Sequence, residues 1–93
     1  MDKILQDLKI GDNIRKLRKN NHMTQPKVVA KLQLLGCQID RSGYAKIESG
    51  YRNIRVSELI LLKHIFKVNY EDFFDGLIPP ETEELLREYE LMK

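Results

Sequence analysis

TQPKVVAKLQLLGCQIDRSGYAKIESG, residues Thr24 to Gly50, decides how this chain is read. It predicts two helices meeting at a sharp angle, the second held out for presentation. Thr24 is a good N-cap, because its hydroxyl satisfies one of the free amides that open a helix. Pro26 suits the first turn, where a proline loses no helical hydrogen bond. Val28, Val29 and Leu32 recur at helical spacing and mark the buried side, and Gln33, Leu34 and Leu35 extend the helix to Gly36. Gly36 stops it, since glycine enters the left-handed conformation at low cost. Asp40 caps the second helix, Tyr44 and Ile47 line its buried face, and Gly50 ends it. The outer face keeps Arg41, Ser42, Ala45, Lys46 and Ser49, small or hydrogen-bonding groups with two cations. Such a face suits the major groove of DNA, which admits a helix and displays donors and acceptors.

On these residues the chain resembles the helix-turn-helix of the Xre and phage-repressor class. The marks are Thr24-Gln25, Ile47-Glu48, Gly50 and the later run Val68-Asn69-Tyr70-Glu71-Asp72-Phe73-Phe74. The likeness extends from about Ile10 to Phe74. Three features depart from the family pattern. The turn around Leu34 to Gln38 is longer, Val29 stands where alanine is usual, and Tyr44 stands where isoleucine or valine is usual. The resemblance implies an all-α, five-helix repressor-like domain over residues 10–75. Residues 1–9 precede it as an arm or short helix, and residues 76–93 follow as a helical extension. It also implies that Arg18, on the inner side of the first helix beside Leu17, pairs with Glu48 in the reading helix. Such a pair is structural, because a buried arginine needs a partner.

Charge points the same way. The net charge of +2 hides an asymmetry. Lys9 to Arg55 holds eleven basic and three acidic residues, net +8, whereas Val56 to Lys93 holds four basic and nine acidic, net −5. A basic half that coincides with the reading helix is the footprint of a polyanion binder. Composition bounds the rest. With 93 residues, 42% of them hydrophobic, the chain makes one small domain with a modest core. Its single cysteine, Cys37, allows no internal disulfide and suits a reducing cytoplasm. No apolar run approaches the ~20 residues that span a membrane. Met1 to Asp12 is too charged for a signal peptide. No enzyme is expected. His22 and His64 lack metal-ligand spacing with Cys37 or a carboxylate, and Ser42 and Ser49 lack a nearby base. No cofactor is implied.

Taken in order, Met1 to Lys9 reads either as a short helix or as a loose arm used for packing or dimer contact. The first core helix spans Gly11 to Asn21, with Ile10, Ile14 and Leu17 inward and Arg15, Lys16 and Lys19 outward. Gln25 opens the second helix, where its side chain and backbone amide can meet a DNA phosphate. In the reading helix Arg41, Ser42, Gly43, Ala45 and Lys46 are the expected base-reading positions. Arg41 reads guanine, Lys46 takes a second acceptor, and Ala45 or Tyr44 meets a thymine methyl. Ser49, Tyr51, Arg52, Asn53 and Arg55 are expected along the DNA backbone, with Ile54 packed inward. Val56 to Lys67 forms a fourth helix on a Leu59, Leu62, Phe66 stripe. Asn69 caps a fifth, Tyr70 to Asp75, whose Phe73 and Phe74 close the core. Pro79-Pro80 breaks the chain, and residues 81–92 read as an acidic helix with a Leu85, Leu86, Tyr89, Met92 stripe. The expected partners are double-stranded DNA and a second copy of the chain. The alternative is a protein-interaction module, such as the antitoxin of a toxin–antitoxin pair, binding a partner through residues 81–92.

Overall fold

Ile10 and Ile14, one helical turn apart, turn inward and tie the start of α1 (Gly11–Asn20) to the core. Asp12 in its first turn and Arg18 and Lys19 in its last oppose the helix dipole. The computed structural model describes residues 10–92, so the expected arm at Met1 to Lys9 lies outside the described residues. α2 (Gln25–Leu34) starts where Thr24 predicts, with the hydroxyl accepting from the Lys27 amide at 3.3 Å. α3 (Arg41–Ser49) is capped by Asp40, whose carboxylate accepts from the Gly43 amide at 2.7 Å. Gly50 ends α3 in the left-handed conformation at φ 85°. The six residues between α2 and α3 turn at Gly36, φ 88°, and are braced by Gln33, which donates to the Ile39 carbonyl at 2.9 Å.

α4 (Val56–Phe66) follows, then a 3-10 helix (Tyr70–Phe74), then α5 (Pro80–Leu91). α3 lies against both α1 and α2, α4 against α2, and the 3-10 helix against α1. Their meeting point is a solvent-free centre of Ile14, Val28, Leu32, Tyr44, Ile47, Ile54, Leu62, Phe66 and Phe73. Val29 and Tyr44, the two larger-than-usual residues, both belong to the buried core, Tyr44 at its centre and Val29 at its edge. Asn13 closes the far end by donating to the Phe73 and Asp75 carbonyls at 3.0 and 2.9 Å.

The all-α class stands, with two differences from expectation in the fifth helix. The fifth helix is a five-residue 3-10 turn, the tighter form usual for so short a piece. Only one of its two phenylalanines closes the core. Phe73 is fully buried and Phe74 is 44% exposed, because successive residues on a 3-10 turn point about a third of a revolution apart. α5 forms, but none of its residues is buried. None of the described helices is long and apolar enough to cross a membrane.

Candidate nucleic-acid interface

α3 has two faces with opposite tasks. Its inner face is Tyr44, Ile47 and Glu48, all buried. Glu48 is the hub. Arg18 reaches it from α1 with two hydrogen bonds, Nε to Oε2 at 2.7 Å and Nη2 to Oε1 at 3.1 Å. Gln25 reaches it from the first turn of α2, donating Nε2 to Oε1 at 3.0 Å. Arg18 also donates to the Met23 carbonyl at 2.9 Å, so its fork joins α1, the connector and α3. Arg15 sits 3.8 Å from the same carboxylate but is over half exposed and adds little. Burial alone would push the Glu48 carboxyl up. The polar neighbours Arg18, Tyr44 and Gln25 outweigh it and hold the carboxyl below its ordinary range. The hydrogen bond to Glu48, partly opposed by burial, raises Arg18.

Tyr44 does not face DNA. Its ring is fully buried under α3, so it cannot meet a thymine methyl. A group as large as tyrosine finds room only inward, where the helices cross. Its hydroxyl lies beside Glu48 and Arg18 but outside hydrogen-bonding geometry. Burial, reinforced by Glu48, raises its pKa far above the usual phenol value.

The outer face is open. Arg41, Ser42 and Lys46 are exposed, and Gly43 and Ala45 are half-buried beside them. Among the described residues neither the Arg41 nor the Lys46 side chain is engaged in a hydrogen bond or ion pair. The Ser49 hydroxyl donates to the Lys46 carbonyl at 3.3 Å, which leaves its lone pairs outward. Gln25 uses one amide hydrogen on Glu48 and retains a second.

After α3 the chain runs alongside this face. Tyr51, Asn53 and Arg55 are exposed, and Ile54 is fully buried and pins the loop. Arg52, expected on the DNA backbone, is engaged with Glu58. Its Nη1 and Nη2 grip the two oxygens of Glu58, both at 2.9 Å. Glu58 is 3% exposed and also accepts from the Arg55 amide at 2.8 Å, so one carboxylate caps α4 and anchors the loop. The bond to Glu58, against the opposing effect of burial, raises Arg52.

Three further residues, Glu58, Asn13 and Gly11, hold this surface. Glu58 carried a signal, since a glutamate three residues into a helix is half of a capping box. Asn13 carried none. In the sequence Gly11 marks only the start of α1, yet a Cβ there would collide with the Ile47 and Glu48 carbonyl oxygens at the end of α3. α1 approaches α3 that closely only because residue 11 lacks a side chain.

The arrangement is a helix presented by a locked scaffold, within a segment of net +8. The helix-turn-helix family profile matches residues 14–73, from α1 to the 3-10 helix. Among solved structures, the chain is similar to the restriction-modification controller protein C.AhdI from Aeromonas hydrophila. They are 25% identical with a TM-score of 0.59, over 72% of this chain and 94% of that one. It is also similar to the wild-type restriction-modification controller protein C.Esp1396I, at 29% identity and a TM-score of 0.60, over 85% of this chain and 91% of that one. No curated protein matches the chain by sequence.

Proposed function

The chain belongs to the helix-turn-helix family of the Xre and phage-repressor class, and from that membership we propose that it is a repressor binding an inverted-repeat operator as a homodimer. Family and neighbours support a DNA-binding transcriptional regulator. The operator symmetry, the dimer and the residue roles are our extension of that. One observation carries them. The inner face of α3 is locked by Arg18, Gln25 and Glu48, while Arg41 and Lys46 on its outer face are unengaged among the described residues. Free cationic donors on a rigid helix are what base reading requires.

Arg41, in the first turn of α3, reads a guanine by its two-pronged fork, and Lys46 takes an acceptor further along the groove. Ser42 and Gly43 let the helix approach closely, and Ala45 meets a thymine methyl. Gln25 gives its second amide hydrogen to a phosphate at the N-terminus of α2. Ser49, Tyr51, Asn53 and Arg55 follow the same strand, and Arg52 shapes their loop through Glu58. Two copies place their reading helices in successive major grooves about 34 Å apart. The names of the two solved neighbours favour control of a restriction–modification system as the cytoplasmic setting.

The test is selection of random duplexes by the purified protein at two salt concentrations. An enriched inverted repeat whose binding weakens with salt supports the proposal. Retention without enrichment, or no retention at low salt, defeats it. Enriched sites ahead of methyltransferase and endonuclease genes would support the setting.

A further inference from the structure

The turn between α2 and α3 is longer than the family pattern, and the fold makes it rigid. Gly36 closes α2 in a Schellman motif: its amide donates to the Gln33 carbonyl at 3.0 Å, and the Cys37 amide donates to the Leu32 carbonyl at 2.9 Å. The Gln33 side chain holds the Ile39 carbonyl, and the Cys37 thiol lies 4.0 Å from a Glu58 oxygen. Burial then alternates over residues 37–40. Cys37 is half-buried and Ile39 is buried, whereas Gln38 and Asp40 are exposed. Such alternation is what an extended segment does with its side chains. Gln38 is thus aimed outward from between two anchors. Among the described residues its amide has no hydrogen-bond partner.

Gln38 borders an open hollow of about 660 Å³ that it shares with Gln33, Asp40, Gly43 and Arg52. Gly43 keeps it open, since a Cβ there would stand 3.0 Å from the Asp40 carboxylate. A second hollow is lined by Lys46, Tyr51, Asn53 and Arg55, with Arg52 in the wall of both. Gly43 and Lys46, three residues apart, put the two hollows on one flank of α3. The second carries Lys46 and Arg55 and suits a phosphate. The first does not. Its cation, Arg52, is neutralised by both oxygens of Glu58, and Asp40 adds a carboxylate that repels phosphate. What the first hollow offers is the Gln38 amide, a donor and an acceptor side by side. That pair matches adenine, whose major-groove edge shows N7 and the N6 amino group. At 3.6 residues per turn Gly43 lies about 200° round α3 from Arg41, so this flank is one that Arg41 does not serve.

We propose that Gln38 is a further specificity-determining residue, reading an adenine in the major groove on the side of α3 opposite Arg41. The inference rests on the DNA-binding reading above and adds one base pair to each half-site. The long turn then belongs to the reading surface, because it carries a base-reading side chain to DNA from outside the reading helix.

The test repeats the selection of random duplexes with the full chain and with Gln38→Ala. Wild type should enrich an adenine in each half-site, at a position whose preference survives in Arg41→Ala. Gln38→Ala should lose preference at that position alone. It should bind the wild-type operator roughly five- to a hundredfold more weakly, as for one good bidentate base contact. Replacing that adenine by 7-deaza-adenine, which lacks the N7 acceptor, should weaken wild type and leave Gln38→Ala unchanged. The Tm of the variant should match wild type, because the side chain is exposed. Gln38→Glu, an acceptor only, should move the preference to cytosine. A Gln38→Ala protein with every base preference intact overturns the assignment. So does one weakened equally on all sequences, which would make Gln38 a phosphate contact. Wild type enriching no site at all sinks the regulator reading itself, whereas a clear operator indifferent to Gln38→Ala sinks only this inference.

Discussion

Replacing Glu48 by alanine should be among the most destabilising single changes in the chain. The carboxylate side chain is 1% exposed and the Arg18 side chain 10%. Removing it strips Arg18 of two of its three hydrogen bonds and leaves a cation with only the Met23 carbonyl. Gln25 loses its partner at the same time. Breaking one side of a buried pair costs about 3–5 kcal/mol. For a domain of this size 3 kcal/mol corresponds to a fall in Tm of roughly 12–24 °C. The double substitution Arg18→Met with Glu48→Leu removes both charges, keeps apolar bulk, and should recover most of that loss. Chemical denaturation of wild type, Glu48→Ala and the double variant measures it. A Glu48→Ala loss under about 1 kcal/mol, or a double variant no better than Glu48→Ala, would refute the view that the cost is an orphaned buried charge.

Further expectations follow from the same geometry. The Glu48 carboxyl is held below its unfolded value of about 4.3, so its contribution is present above that pH and lost as pH falls through the folded value. Wild-type stability should therefore drop below about pH 4 more steeply than that of Glu48→Gln, read by denaturation at stepped pH. Gly11→Ala should cost about 1–3 kcal/mol despite the better helix propensity of alanine, because the methyl meets backbone carbonyls that cannot swing aside. Lys67 holds φ 56° at the end of α4, so Lys67→Gly should stabilise by about 0.5–1 kcal/mol; a loss would show that its side chain matters more than its backbone. Arg41→Ala should weaken operator binding by about 1–3 kcal/mol and relax preference at one base pair, measured by competition among operator variants.

The sequence by itself determined the helices, their caps and the likeness of the scaffold. Thr24, Asp40, Gly36 and Gly50 act through their own backbone neighbours, and the spacing of Val28, Leu32, Tyr44 and Ile47 marks the buried faces whatever they meet. The pairing of Arg18 with Glu48 is legible only through the resemblance, since the two stand thirty positions apart in the chain. Only the tertiary structure decided which cations are free. Arg41 and Arg52 look alike in the chain, but the fold brings Glu58 to Arg52 and, among the described residues, no partner to Arg41. It likewise turned Tyr44 inward, Phe74 outward and α5 away from the core, and made Gly11 a contact with the end of α3. The reason is the same in each case. Caps and periodicity are interactions over three or four residues, whereas the partner of a side chain is set by distances between segments, which the order of residues does not contain.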